Sequence, residues 1–229
     1  MPTPDQHTLL LHPVAYARNG FTGKFGIPRQ VRENSSLQTR IVFCPSYRND
    51  DAIRGLETFS HIWLLWGFHV APATSKATVR PPRLGGNTRV GVFATRSPYR
   101  PNPIGLTSVR LVRIEHTTNE GTVLIVEGAD MLDGTPIYDI KPYLSYSDSH
   151  PDSRDGFVGC TPRRVLKVKW PDTLPEELPR IELQEILEQD PRPAYHDDQK
   201  RIYGLDYAGW NIHFRVENDI LEVTDIRRQ

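Results

Sequence analysis

Residues 89–110 read RVGVFATRSPYRPNPIGLTSVR. Apolar side chains alternate with smaller or polar ones from Arg89 to Thr95, a period of two that predicts a β-strand. A second alternating segment from Thr107 to Ile114 predicts another strand. The residues between them predict a loop, so this stretch favours a strand–loop–strand unit over a helix.

The predicted loop contains prolines at positions 98, 101 and 103, which fix their own φ angles and restrict the residues before them. Such a loop is stiff. It is either a rigid connection with solvated arginines, or a preformed site in which Arg96, Arg100 and Asn102 bind a ligand at little entropic cost. The pattern alone leaves both interpretations open.

Short apolar runs separated by Gly- and Pro-rich turns continue on both sides of this unit. Strands joined in this way at regular spacing favour an antiparallel or mixed barrel over a doubly wound α/β sheet. A brief helix is predicted from Tyr47 to Leu56, with Asp50 or Asp51 accepting from its first N–H groups. The other predicted strands before residue 144 are Thr8 to Val14, Thr39 to Phe43, His61 to Val70 (buried on both faces), Thr122 to Glu127 and Ile137 to Tyr143.

The composition changes after Tyr143, where Ser, Asp, Pro and Gly dominate up to Thr161. The segment beyond it predicts a small α+β unit. Its helix spans Pro175 to Gln189, with Ile181, Ile186 and Leu187 facing inward. Its predicted strands are Arg164 to Trp170, Arg201 to Leu205, Ile212 to Val216 and Leu221 to Ile226, with a hairpin turn at Asn218 and Asp219. We therefore expect two domains, residues 1–163 and 164–229.

Charge is balanced overall but unevenly distributed. The 229 residues contain 28 Lys and Arg and 28 Asp and Glu, yet no acidic residue lies between Thr58 and Ile114, where eight basic residues lie. This stretch predicts a site for an anionic ligand or nucleic acid, unless acidic residues elsewhere neutralise it in the fold.

The cysteine count, the N-terminal sequence, the apolar runs and the absent motifs limit the classes of protein that are possible. Cys44 and Cys160 are too few for a disulfide framework or a cysteine metal site, and we expect no metal and a reduced, cytoplasmic protein. The N-terminus does not resemble a signal peptide, and the longest apolar run, Ile62 to Val70, is too short to cross a bilayer. The sequence also lacks G-x-G-x-x-G, P-loop, G-x-S-x-G, C-x-x-C and H-x-x-x-H motifs, which leaves Rossmann cofactor binding, P-loop phosphoryl transfer and zinc hydrolysis unsupported.

Several polar clusters are left: PRQ at 28–30, RPPRLGGN at 80–87, ATRSPYRPNP at 94–103, DGTPIYDIKPY at 133–143 and QDPRPAY at 189–195. Together they resemble the TsaA-like family, and within it the tRNA methyltransferase O branch. The resemblance covers nearly the whole chain. Departures lie mainly in the N-terminus, where HPVAYARNGFTGKFG at 12–26 lacks the commoner Arg-Ser-Pro opening of the family's first loop.

The resemblance implies a mainly β fold, a non-Rossmann β-barrel methyltransferase domain followed by a small α+β domain. It implies S-adenosylmethionine as methyl donor, a homodimer, and N6-methylation of threonylcarbamoyladenosine in the tRNA anticodon stem-loop. An arginine fork suits the donor's carboxylate, a turn backbone suits its adenine edge, and Leu106 suits its adenine face. The implied donor contacts are Pro28, Arg29, Gln30, His69, Val70, Arg96, Leu106, Asp133, Gly134, Thr135 and Pro136.

The sequence leaves the proton acceptor and the tRNA contacts open. Asp139, Tyr143 and His69 are candidates for receiving the proton lost from N6, and the sequence does not select one. The tRNA-contact candidates are Arg80, Arg83, Arg100, Asn102, Arg227 and Arg228. Taken singly, Arg29 and Gln30 are ordinary surface residues, His69 a core histidine and Asp133 a turn residue. Two alternatives remain for the whole chain, a methyltransferase acting on another RNA or a small molecule, and a non-enzymatic RNA-binding protein.

Overall fold

The computed structural model describes residues 9–23, 25–27, 35–71, 74–81, 84–85, 87–159, 165–192, 198 and 201–229. The predicted mainly β character is confirmed, because strands far outnumber helices in this part of the chain. The strands before residue 143 are Ala15–Arg18 (β1), Gln38–Phe43 (β2), His61–Gly67 (β3), Thr78–Val79 (β4), Val90–Gly91 (β5), Ile104–Thr117 (β6), Gly121–Glu127 (β7) and Pro136–Pro142 (β8).

Six of these strands form one closed sheet. They pair in the order β1, β2, β7, β6, β3, β8, and β8 pairs again with β1, each time antiparallel. Strands β4 and β5 pair with each other in a separate ribbon. The antiparallel order brings Arg18, Gly67, Ile104 and Pro136 to one end of the barrel, called here the upper end. The lower end carries His61 and Pro142.

Alternation along the strands separates an interior from an outer face. On β3, Ile62, Leu64 and Trp66 are buried in the barrel core, whereas Trp63 and Leu65 are half-buried on the outer face. The prediction that this strand is buried on both faces is therefore wrong. Strand β7 has that property, because every residue from Thr122 to Glu127 is buried.

The second half of the described chain forms a four-stranded sheet covered by one helix. The helix is Arg180–Glu188 (α2), and the short helix Ser145–Asp148 (α1) precedes it. Leu183, Ile186 and Leu187 of α2 are buried, but Ile181 is 73% exposed, which corrects its predicted inward position. The strands are Lys167–Lys169 (β9), Tyr203–Tyr207 (β10), Trp210–Glu217 (β11) and Ile220–Arg228 (β12), in the order β10, β11, β12, β9.

The first loop of the barrel packs into the core of this second unit. The ring of Phe21 lies 5.0 Å from that of Tyr207, and Phe25 stacks on Tyr203 and Phe214. Gly26 has φ +94°, and a Cβ there would overlap Leu205, so both its backbone and its packing require glycine. The described part of the connection between β1 and β2 is thus held by the C-terminal sheet and helix.

Three predicted elements differ from the structure. The first strand begins at Ala15, and residues 9–14 lie outside it. Strand β5 ends at Gly91 because Val92–Ala94 form a 3-10 turn, closed by the Thr95 hydroxyl donating to the carbonyl of Val92 at 2.8 Å. The predicted helix from Tyr47 to Leu56 is a series of 3-10 turns, and Asn49, not Asp50 or Asp51, caps the one from Asp50–Ile53.

Candidate functional site

The upper end of the barrel brings several predicted donor contacts together. His69 follows β3 and is exposed, and Thr135 precedes β8 and is buried. The Nδ1 atom of His69 lies 3.5 Å from the Oγ1 atom of Thr135. Two segments that are far apart in sequence therefore meet here, as the predicted site requires.

The turn from Asp133 to Pro136 is fixed by the end of β1. The Asp133 carboxylate accepts from the backbone N–H of Asn19 at 3.0 Å and lies 3.4 Å from the Arg18 guanidinium. Gly134 has φ +74° and donates its N–H to the carbonyl of Ala17 at 2.9 Å. The Asp133 side chain thus holds the turn in place, and the turn is a rigid part of the upper end.

The Pro-rich loop is stabilised by its own arginine. Arg100 donates through Nη1 to the carbonyls of Thr95 and Ser97, at 3.0 and 3.3 Å. Arg96 is exposed, and no carboxylate of the described residues forms an ion pair with it. The loop therefore has one structural arginine, Arg100, and one guanidinium that faces solvent.

Leu106 and Val70 offer apolar surface beside these polar groups. Leu106 is 54% exposed and Val70 is 48% exposed. Leu106 lies on the outer face of β6, opposite Leu65 of β3, whereas its neighbour Thr107 points into the barrel. Its side chain is therefore not part of the barrel interior.

The three candidates for the proton acceptor lie in different places. His69 is at the upper end. Asp139 lies mid-strand on the outer face and pairs with Lys141 at 2.8 Å. Tyr143 is at the lower end, where it packs against Trp63 with ring centroids 5.6 Å apart. Strand β3 separates the two ends by about 20 Å at 3.3 Å per residue, so Tyr143 and His69 of one chain cannot act on one atom.

The RNA-contact candidates are also spread out. Arg80 and Asn102 are exposed. Arg227 pairs with Asp225 at 2.5 Å, and Arg228 lies over the Trp210 ring, 4.8 Å from its centroid, so both already have protein partners. Arg83 lies outside the described residues, as do Pro28, Arg29 and Gln30.

One polar group at the upper end was not predicted. Asp130 follows β7, and its Oδ1 accepts from the Thr107 hydroxyl at 2.7 Å. That hydroxyl accepts in turn from Trp66 Nε1 at 3.1 Å. Burial raises the pKa of the Asp130 carboxyl, and the Thr107 hydrogen bond, the residue's own backbone hydrogen bond and the positive charge of Arg96 oppose the rise. A single Asp after an apolar strand carries no sequence motif, so only the fold reveals this chain of hydrogen bonds.

The fold and the site together indicate a broad class of protein. The chain is a mainly β protein with a cluster of polar groups on loops at one end of a barrel. The described residues contain no group of three His, Cys, Asp or Glu placed to hold a metal ion. Within the same residues, no helix has the length and apolarity that crossing a membrane would require.

Family models then identify the family. The model of the tRNA-methyltransferase O N-terminal domain matches residues 16–149, and that of the TrmO C-terminal domain matches residues 165–229. The chain therefore belongs to the tRNA-methyltransferase O family, and the resemblance noted in the sequence is confirmed.

Individual relatives agree with this assignment. A tRNA (adenine(37)-N6)-methyltransferase of Eikenella corrodens is 48% identical over 165 residues, which cover 70% of this chain and 92% of that one. A "Probable S-adenosyl-L-methionine-binding protein" of Methanothermobacter thermautotrophicus is 42% identical over 139 residues, covering 61% and 93%. The crystal structure of TrmO from Pseudomonas aeruginosa superposes with a TM-score of 0.77 at 31% identity, covering 96% of this chain and 100% of that one.

Proposed function

We propose that this protein transfers a methyl group from S-adenosylmethionine to N6 of adenine 37 in tRNA, where that adenosine already carries a threonylcarbamoyl group. The observation that carries the proposal is the family match on both halves of the chain, together with a relative named for this reaction. In-line methyl transfer needs mainly the placement of donor and acceptor at near-attack distance. A rigid upper end suits that requirement.

The donor site is proposed at the upper end. Arg96 offers an exposed guanidinium for the donor's carboxylate. The backbone of the Asp133–Pro136 turn offers hydrogen bonds to the adenine edge, since the Asp133 carboxylate itself is occupied by Arg18 and Asn19. The other proposed donor contacts are His69, Val70 and Leu106. Pro28, Arg29 and Gln30 are included from their sequence positions. When bound, S-adenosylmethionine would supply the methyl group.

The domain arrangement and the homodimer belong to the same proposal. We divide the chain into a barrel domain, 1–163, and a C-terminal domain, 164–229, which the limits of the two family models support. The exposed Leu106 on the outer face of β6 is the apolar contact that we assign to the second copy. In such a dimer, the Leu106 side chain would lie against a donor molecule bound at the interface.

The anticodon stem-loop would approach along the stretch without acidic residues. Arg80, Arg83, Arg100 and Asn102 lie within it and are the proposed contacts. Of these, Arg100 also braces the Pro-rich loop, so its substitution would affect both the loop and the RNA. A substrate of this kind is consistent with residence in the cytoplasm.

Donor binding and tRNA methylation test the proposal separately. Calorimetry with S-adenosylmethionine should give a saturable heat, and a protein that only binds RNA should give none. Methylation should require tRNA that carries the threonylcarbamoyl group, and equal activity on tRNA lacking it would refute the substrate assignment.

Arg96 provides the matching test of the site. Arg96→Ala should abolish donor binding because it removes the guanidinium proposed to hold the carboxylate. Arg54→Ala is the control, since Arg54 is an exposed arginine near the lower end that pairs with Asp51. Unchanged donor affinity in Arg96→Ala would remove this residue from the site.

A further inference from the structure

The carboxyl of Asp130 is oriented by a fixed series of hydrogen bonds. An indole N–H can only donate, so the Thr107 hydroxyl must act as acceptor towards Trp66. The single proton of that hydroxyl is then free to point at Asp130 Oδ1, 2.7 Å away. Trp66 and Thr107 are both buried, which leaves this arrangement little freedom to change.

The Asp130 carboxylate has more acceptor sites than its protein partners occupy. Oδ1 accepts from Thr107 and the carboxylate also accepts from its own backbone N–H, and within the described residues no other side chain donates to Asp130. The residue keeps some exposure, which a proton acceptor for a bound ligand requires. The neighbouring carboxylates differ, because Asp133 is bonded to Asn19 and Glu127 to Arg110.

Charge and burial adjust the basicity of this carboxyl in opposite directions. Burial raises the pKa of Asp130, whereas the Thr107 hydrogen bond, the backbone hydrogen bond of Asp130 and the Arg96 charge favour the ionised form. The other ionisable groups at this end are His69, Asp133 and Arg18, and none of them is a cause of the shift. A carboxylate with a raised pKa is a stronger base than a solvent-exposed one.

We propose that Asp130 accepts the N6 proton of the target adenosine during methyl transfer. This inference rests on the proposed function and adds its proton acceptor. The N6–H bond breaks and its proton goes to Oδ2, while the nitrogen electron pair forms the bond to the methyl carbon. The carbon–sulfur bond breaks with its electrons going to sulfur, so a sulfonium and a carboxylate become a neutral thioether and a carboxylic acid.

The placement of the other candidates favours Asp130. Asp139 is paired with Lys141 on the outer face, and Tyr143 lies at the lower end. His69 remains close, but its Nδ1 faces the Thr135 hydroxyl at the rim. Asp130 alone among these groups combines the upper end, an oriented oxygen and a shifted pKa.

Asp130→Asn is the direct test, because Asn keeps the size of the side chain and can still accept from Thr107. We expect the methylation rate at saturating donor and tRNA to fall about 10²- to 10⁴-fold. The dissociation constants of both ligands should stay within about twofold of those of the wild type. Below the pKa of Asp130, the wild-type rate should rise tenfold per pH unit. This acid limb of the pH–rate profile should vanish in Asp130→Asn.

The controls separate this inference from the proposed function. Asp51→Asn changes an exposed carboxylate near the lower end and should leave the rate unchanged. Wild-type protein that fails to methylate the modified tRNA would refute the proposed function itself. Active wild type together with an Asn variant that keeps its rate and its acid limb would overturn only the role of Asp130.

A second variant covers the case in which Asp130→Asn does not fold. Thr107→Val removes the hydrogen bond that lowers the pKa of Asp130. The acid limb of the pH–rate profile should therefore move to higher pH. A limb that stays in place would exclude Asp130 as the proton acceptor.

Discussion

Replacing Thr107 by Val should destabilise the fold through hydrogen bonding and not through packing. Valine has nearly the shape of threonine, so the barrel interior keeps its volume. The change leaves the buried N–H of Trp66 without its acceptor and removes a donor from Asp130. An unpaired buried donor costs about 1–3 kcal/mol, and a lost bond to a carboxylate about 1.5–3 kcal/mol. Because the two share one hydroxyl, we expect a combined loss of about 2–4 kcal/mol near neutral pH.

The loss should depend on pH with a defined sign. Thr107 lowers the pKa of Asp130 in the folded wild type, so the folded variant keeps its proton to higher pH. Between the two folded-state pKa values the folded variant binds more protons than the folded wild type. Its free energy of unfolding therefore falls, relative to the wild type, as the pH rises through that window. The deficit grows with rising pH and shrinks with falling pH.

Denaturant unfolding at several pH values measures this difference. Thr107→Ser is the matched control, since it keeps the hydroxyl and loses one methyl group, at a cost of about 0.5–1.5 kcal/mol. A Val variant no less stable than the Ser variant, or a deficit that does not vary with pH, would refute the linkage between Trp66, Thr107 and Asp130.

Two further substitutions test a close packing contact and a hydrogen-bonded carboxylate. Gly105→Ala should cost about 1–3 kcal/mol, because a Cβ there would overlap the indole of Trp66, whereas Gly91→Ala meets no neighbouring atom and should stay within about 0.5 kcal/mol in the same unfolding assay. Equal costs for the two would contradict the close approach. Glu185→Gln should cost about 1–3 kcal/mol, because the carboxylate accepts with both oxygens, from the Ser35 hydroxyl at 2.6 Å and from the N–H and hydroxyl of Ser36 at 2.7 and 2.8 Å, and an amide has only one acceptor oxygen. A stability equal to that of the wild type would show that this contact is replaced by water.

Much of the strand content could be predicted from the sequence because the physical signal is local. Thr122 to Glu127 is an unbroken apolar run, and it forms β7 with one residue added at its start. The strand after the Pro-rich loop was also predicted, although β6 is longer than its alternating segment. The prediction of a strand from Arg89 to Thr95 is wrong in its second half. The Thr95 hydroxyl offers the backbone a local hydrogen-bond partner, which the alternation of side chains does not show.

The site could be predicted less completely because it depends on distant pairings. The sequence gives no order for the strands, and that order places Asp130 beside Thr107 and sends Tyr143 to the opposite end from His69. Ile181 was predicted inward from a 3.6-residue period, yet the core uses Leu183 instead. The family resemblance supplied the donor contacts, and these remain predictions.

The packing of Phe21 and Phe25 into the C-terminal core has a consequence for biosynthesis. Phe21 and Phe25 are made well before their partners Tyr203, Tyr207 and Phe214. The six barrel strands can pair as soon as β8 emerges, but the first loop must wait for strands β10 and β11. A nascent chain therefore holds its barrel strands together before the connection between β1 and β2 has its partners. That connection can reach its final packing only after strands β10 and β11 have emerged from the ribosome.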